Sequence, residues 1–304
     1  MKTIRIATRE SALALWQANH VKTLLEGAHD ELTCQIVGMT TEGDRNKVSP
    51  LSQMGGKGVF VKELETALFD GSVDIAVHSM KDVPGELPQG LEIAAMVERA
   101  DPRDAFVSNN YSTMAELPDG ARVGSSSLRR VLQLKAAFPG LEFQELRGNV
   151  DTRLRKLDEG QYDAIILAVA GLQRLGLSDR VADAIHPKVS IPAAGQGAVG
   201  IECRAGDEST KSLLTAINHP TTWHCVSAER EVTLMLGATC NLPIAVFAEI
   251  SEDTLQLAAY VSDTQGSQVI REHREGPVNE ASALAKTLGQ KLLDQGAAAL
   301  IESS

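Results

Sequence analysis

Aromatic side chains are scarce in this 304-residue chain, which has two Trp, three Tyr and six Phe. So few rings leave little material for a base-stacking nucleic-acid surface. A basic excess is missing as well: 29 Lys and Arg stand against 40 Asp and Glu, for a formal net charge of −11. With no sequence-wide basic field, neither nucleic acid nor an anionic membrane is an expected partner. Any local basic cluster is therefore read as a site. The longest apolar runs, such as Ala164–Ala170, fall well short of a bilayer span. The opening MKTIRIATR leads into a strand-like pattern with no apolar stretch before a small-residue cleavage site, so no signal peptide is expected. Cys34, Cys203, Cys225 and Cys240 form no CxxC pair and no Cys/His spacing suited to zinc, so no metal is expected. A reducing cytoplasm is the natural expectation, with each thiol a small core residue by default. The signatures GxGxxG, GxxxxGK[ST], GxSxG and HExxH are also lacking.

What is present is globular, 43% hydrophobic and 23% charged, and long enough for two or three domains. The first two-thirds alternates strands and helices. Thr3–Thr8 reads as a strand, followed from Ser11 by a helix with Ala14, Ala18, Val21 and Leu25 on one face. Leu32–Met39 and Val73–Val77 are further strands, and Phe60, Leu64, Ala67 and Leu68 mark the helix between them. Strands follow at Ala105–Val107, Arg122–Gly124, Leu141–Leu146, Ala164–Leu167 and Ala198–Glu202. Helices follow at Leu128–Ala137, Val150–Leu157 and near Leu172. The stretch Thr40–Gly58 lacks periodicity and carries Gly43, Pro50, Gly55, Gly56 and Gly58, a length that in a compact domain signals function or disorder. Beyond about residue 218 the order changes. A long helix (Thr222–Leu236) leads to strands at Ile244–Ile250, Leu255–Val261 and Gln268–Glu272, then a closing helix with Ala281, Leu284, Ala285, Leu288 and Leu292 on one face. That is α+β order, a separate C-terminal domain. Glu98–Arg103 and Ile191–Gly197 read either as hinges bracketing an inserted domain or as plain surface loops.

In open α/β sheets ligands bind beyond the carboxyl ends of strands. Thr3–Thr8 is followed by Arg9 and Ser11, and Val73–Val77 by His78-Ser79-Met80-Lys81-Asp82. Arg122–Gly124 is followed by Ser125-Ser126-Ser127-Leu128-Arg129-Arg130, and Leu141–Leu146 by Arg147-Gly148-Asn149 and then Arg153. Guanidinium forks match carboxylates, and small hydroxyl residues at helix starts leave N–H donors for a further anion. Each feature alone has an ordinary explanation: Ser125–Ser127 and Asn149 cap helices, and Arg129 and Arg130 occupy a solvated helix face. Taken together at one sheet edge they predict a site for a polycarboxylate or phosphate. They do not specify a reaction, because a two-domain anion-binding protein would show the same pattern. His78 reads as a packing or hydrogen-bonding residue.

The strings RIATRESALALWQA, GGKGVFVKELE, VHSMKDVPG, SSSLRR, LRGNVDTRL and AAGQGAVGIECR occur in this order over nearly the whole chain. Together they resemble the porphobilinogen deaminase (hydroxymethylbilane synthase) family. The resemblance implies an α/β fold of two periplasmic-binding-protein-like (type II) domains plus a smaller C-terminal α+β domain. The expected bounds are 1–98 with 198–216 for the first domain, 103–191 for the second, inserted one, and 218–304 for the third. It implies a transferase of porphyrin and heme biosynthesis. Such an enzyme condenses four porphobilinogen molecules, with loss of ammonia, into the linear tetrapyrrole hydroxymethylbilane. The chain grows on a dipyrromethane cofactor joined by a thioether to Cys240 in the third domain.

Carried over residue by residue, Lys81, Ser125, Ser127, Arg129, Arg130 and Arg147 match the family's groups for the cofactor carboxylates. Arg9, Ser11, Phe60, Arg153, Arg174 and Gln196 are the candidates for substrate and growing chain, and Asp82 matches the catalytic aspartate. Loss of ammonia leaves an electron-poor azafulvene, and coupling puts positive charge on pyrrole nitrogens, which a carboxylate can stabilise while it shuttles protons. Lys81 should alternate away from Asp82 if the strand continues, and Thr40–Gly58 would be a mobile lid. The family resemblance favours a monomer. The chain departs from the family in carrying Ala238 and Thr239 immediately before Cys240. The residues around Cys240 still single it out, since it alone follows a helix end, with Gly237 before it and Pro243 after it.

Overall fold

The computed structural model describes residues 2–41, 43, 61–237 and 242–302. The chain divides into two compact units, Met1–Ala100 with Ala198–His224, and Asp101–Gly197 with Cys225–Ser304. None of the described helices is long and apolar enough to cross a membrane.

The first unit is built on a five-stranded sheet in the order β2-β1-β3-β10-β4. Its strands are β1 (Lys2–Arg9), β2 (Leu32–Met39), β3 (Ile75–Ser79), β4 (Leu91–Met96) and β10 (Val199–Arg204). β1, β2 and β3 run parallel, while β10 is antiparallel to both β3 and β4. Ile4 and Ile6 of β1 face helix α1 (Ala12–Ala28), which answers with Ala18, Val21 and Leu25. Ala7 and Ala76 face helix α2 (Lys62–Phe69) through Leu64, Ala67 and Leu68. With both faces covered, β3 reads as an apolar run rather than an alternation.

The second unit repeats that plan in another sheet, ordered β7-β6-β8-β5-β9. Its strands are β5 (Asp104–Val107), β6 (Arg122–Gly124), β7 (Glu142–Gln144), β8 (Ala164–Ala168) and β9 (Asp183–Ile185). β7, β6 and β8 are parallel, and β5 is antiparallel to β8 and β9. Helices α3 (Leu128–Ala137), α4 (Val150–Asp158) and α5 (Val169–Arg174) follow β6, β7 and β8. In the first unit α6 (Glu208–Leu214) follows β10, and α7 (Pro220–Met235) leads toward the C-terminal segment. There a three-stranded antiparallel meander forms from β11 (Ile244–Ser251), β12 (Thr254–Ser262) and β13 (Val269–Pro277). One face packs under α7, α8 (Ala281–Asp294) and α9 (Ala297–Glu302) through Val232, Val246, Leu257 and Leu288. The other holds Ala245, Phe247 and Tyr260 against Ile191.

Mixed α/β architecture with two five-stranded sheets and a small C-terminal sheet-and-helix segment is the fold class expected. Four of the described strands and helices were not expected. β4 (LEIAAM) has the composition of a helix, and β9 has only three residues; each forms by pairing with a strand distant in sequence. The short helices α6 and α9 are the others.

Candidate active site

In the first unit two strand ends converge. β1 delivers Arg9 and then Ser11, whose hydroxyl caps α1 by accepting from the Ala14 amide at 3.3 Å. β3 ends at Ser79, and a single 3₁₀ turn, Met80–Asp82, carries Lys81 and Asp82. The expected alternation of Lys81 away from Asp82 does not apply, because the strand stops before them. Arg9, Ser11, Gln17, His78, Ser79 and Asp82 line one cleft. Gln17, buried on α1, donates to the Ser79 hydroxyl at 2.8 Å and ties helix to strand end. β10 holds the turn from behind. The Met80 amide donates to the Ala198 carbonyl at 3.0 Å, and the Met80 side chain lies over Gly200. A Cβ at position 200 would sit 2.0 Å from the Met80 sulfur, so glycine there makes room for the Met80 side chain in this rotamer. His78 Nε2 meets Glu202 Oε2 at 2.8 Å, both side chains buried.

In the second unit the strand ends of β6 and β7 are joined by Ser126. Its hydroxyl donates to the Leu146 carbonyl at 2.7 Å and accepts from the Leu146 amide at 3.1 Å. Ser125 is buried and accepts from the Ser127 amide, while Ser127 begins α3 without a side-chain cap. Asn149 caps α4 by accepting from the Thr152 amide at 2.9 Å. Arg147 pairs with Glu145, and Arg153 Nε donates to the Gly148 carbonyl at 2.7 Å.

Arg129 and Arg130 are not on a solvated face. Both are buried against Asp104, the first residue of β5. Arg129 grips both carboxylate oxygens, at 2.8 and 2.9 Å, and also donates to the Ile191 carbonyl. Arg130 donates to Asp104 through Nε at 2.8 Å and to the Ile166 carbonyl and Gln196. Gln196 and Ser190 complete the ring, at 3.0 and 2.8 Å from Asp104. Burial pushes the Asp104 carboxyl up, but the two guanidiniums outweigh it and hold it well below the usual carboxylate range. Burial pulls Arg130 down against the pull of Asp104. Two guanidiniums against one carboxylate leave a surplus of positive charge in the core of the unit. Each guanidinium has five N–H donors and the contacts above use three, so each keeps two for a further acceptor. Arg174, half-buried, donates to the Gly197 carbonyl at 2.6 Å, and burial lowers its pKa to about 10.

The four basic strand ends thus do not share one sheet edge, as their succession in sequence suggested. Those of β1 and β3 belong to the first unit, those of β6 and β7 to the second. Cys34, Cys203 and Cys225 are buried, and burial pushes the first two thiols up to about 11, away from the thiolate a nucleophile needs. α7 ends at Met235 and is followed by Gly237, whose φ of 62° is the left-handed turn that closes a helix. Cys240 and its neighbours Ala238 and Thr239, Phe60, and all of Thr40–Gly58 except Thr40, Thr41 and Gly43 lie outside the described residues. Asp104, Ser190, Gln17 and Glu202 were missed as site residues. Only their polarity within otherwise apolar strands or helix faces could have pointed to them.

Residues 4–212 match the family model described as porphobilinogen deaminase, dipyromethane cofactor binding domain, and residues 223–294 match the porphobilinogen deaminase C-terminal domain. This chain belongs to the porphobilinogen deaminase family. It is 52% identical to the porphobilinogen deaminase of Chromobacterium violaceum over 99% of this chain and 97% of that protein. It is 53% identical to that of Methylobacillus flagellatus over 97% and 96%. Among solved structures it is similar, at 15% identity and a TM-score of 0.45 over 72% of this chain and 93% of the other, to a periplasmic substrate-binding protein of an ABC transporter from Coxiella burnetii. For the porphobilinogen deaminase family a dipyrromethane is the cofactor, and the donor set described here fits one. Its carboxylate side chains suit the surplus cationic charge at Arg129 and Arg130 and the remaining N–H donors there.

Proposed function

We propose that this chain is a cytoplasmic, monomeric porphobilinogen deaminase, joining four porphobilinogens into hydroxymethylbilane with loss of ammonia. The observation that carries the reading is the cleft in which the Asp82 carboxylate stands with Arg9, Ser11 and Gln17. When bound through Cys240, the dipyrromethane supplies the pyrrole carbon from which the chain grows. Asp82 acts on the reacting rings, where a carboxylate offsets developing positive charge on pyrrole nitrogen and accepts or returns a proton. Lys81, Ser125, Ser127, Arg129, Arg130 and Arg147 hold cofactor carboxylates. Arg9, Ser11, Phe60, Arg153, Arg174 and Gln196 receive those of the substrate and the growing chain. Gln196 does so beside Arg130, to which it is already hydrogen-bonded. We read the domains as 1–98 with 198–216, 103–191, and 218–304, the last carrying the cofactor cysteine.

Intact mass tests the reading. The purified protein should exceed its sequence mass by two deaminated pyrrole units, and peptide mapping should place the adduct on Cys240. Cys240→Ala should yield folded protein with neither adduct nor turnover. An adduct on Cys34, Cys203 or Cys225, or turnover in the alanine variant, would overturn the proposal.

A further inference from the structure

Behind the cleft of the first unit lies a buried pair to which the reaction above assigns no task. His78 pairs with Gly200 across β3 and β10, and Glu202 stands opposite Ala76. Both side chains leave the sheet on the face that α2 covers, and they are 4% and 1% exposed. Glu202 Oε2 receives His78 at 2.8 Å, while Oε1 has no hydrogen-bond partner among the described residues. The charged groups around the pair are Glu65 from α2, and Asp82 and Arg9, which share the cleft with His78. Burial first, and Glu202 second, push the Glu65 carboxyl up. A buried carboxylate oxygen without a donor among the described residues is costly to keep.

The contact assigns the ring nitrogens different duties. A carboxylate oxygen without a proton can only accept, so the shared hydrogen then sits on Nε2, and in the neutral ring Nδ1 is the acceptor. His78 lines the cleft that holds Asp82 and Ser11, and the ring's one described polar contact is that to Glu202. We infer that Glu202 is a positioning residue that fixes His78 in its Nε2–H form, so that Nδ1 is offered to the cleft as a fixed acceptor for an N–H donor of the substrate. The identity of that donor, the pyrrole nitrogen or the aminomethyl group of porphobilinogen, rests on the deaminase reading.

Nitrogen-15 correlation spectra of the purified holoprotein should show the His78 proton on Nε2. Glu202→Gln keeps the shape but lets an amide donate to Nε2, which moves the ring proton to Nδ1, a donor where an acceptor is needed. Its kcat/KM for porphobilinogen should fall about tenfold or more, with the two-ring adduct and the unfolding midpoint retained. His78→Gln keeps a donor for Glu202 but has no nitrogen at the δ position, and should fall equally. A proton on Nδ1 in the wild-type protein, or wild-type kcat/KM in either variant, overturns the inference. The tautomer is read without substrate, so its failure is distinguishable from failure of the deaminase reading, which the mass of the adduct decides.

Discussion

Asp104 in the second unit and Glu202 in the first are both buried, and the two are treated in opposite ways. Asp104 accepts five hydrogen bonds, from two guanidiniums, an amide and a hydroxyl. Glu202 accepts one, from His78, and its other oxygen is bare among the described residues. A saturated buried carboxylate serves as an internal anchor: it neutralises half of a buried cationic pair and fixes both guanidiniums in place. An unsaturated one keeps its hydrogen-bonding capacity in reserve. The same sheet order is therefore compatible with the two tasks proposed above, carboxylate binding in the second unit and proton handling around Asp82 in the first.

Breaking the proton-handling side should have the largest effect. Asp82→Asn deletes the charge without changing shape, and turnover should fall by about 10²–10⁴-fold, with the adduct still present by mass. Wild-type steady-state rates would remove Asp82 from the reaction. Breaking the anchor is a stability experiment. Asp104→Asn leaves two guanidiniums buried without a counter-charge, and should cost about 3–5 kcal/mol in urea unfolding. A loss below about 1 kcal/mol would show that the pair is not an anchor. Arg147→Leu tests the outward-facing side of the same unit. In the role proposed for Arg147 the change leaves a cofactor carboxylate short of a donor, at about 1–3 kcal/mol, and should lower adduct content or stall early elongation. Normal adduct and normal product would reject its role.

Asp104 in the second unit and Glu65 in the first separate by pH. The folded Asp104 carboxyl lies below its unfolded value, so its contribution is fully present above the ordinary carboxylate range and is lost as acid is added below about pH 4. Asp104→Asn should flatten the acid limb of stability. Glu65, near Glu202, has the opposite sign. Its folded carboxyl is raised, so the protein loses stability as pH rises from the unfolded to the folded value. Glu65→Gln should raise the unfolding midpoint slightly at pH 8 and leave it unchanged at pH 4. The reverse ordering would show that α2 does not bring Glu65 against the buried pair.

Much of this architecture is written locally. The period of Ala14, Ala18, Val21 and Leu25 is a helix face in any context, and runs such as AIILA are strands because both faces are covered. β4 was illegible because Leu, Ala and Met favour a helix, and only pairing with β10, more than a hundred residues later, makes LEIAAM extended. At the site, Arg129 and Arg130 declare themselves as cations, but Asp104, 25 residues earlier, reads as the start of one strand among many. Similarly His78 and Glu202 each sit in a recognisable string, but the strings lie 124 residues apart and nothing local shows that the two side chains meet.

The sequence by itself determined the family, the order of elements and which residue types stand at strand ends, because periodicity and motif spacing are short-range properties of the chain. Only the tertiary structure decided that the four basic ends fall on two sheets, that two arginines share one aspartate, and that a histidine leans on a glutamate. Those pairings are set by burial, which strips water from a charge and forces it to take whatever partner the fold brings within 3 Å or so.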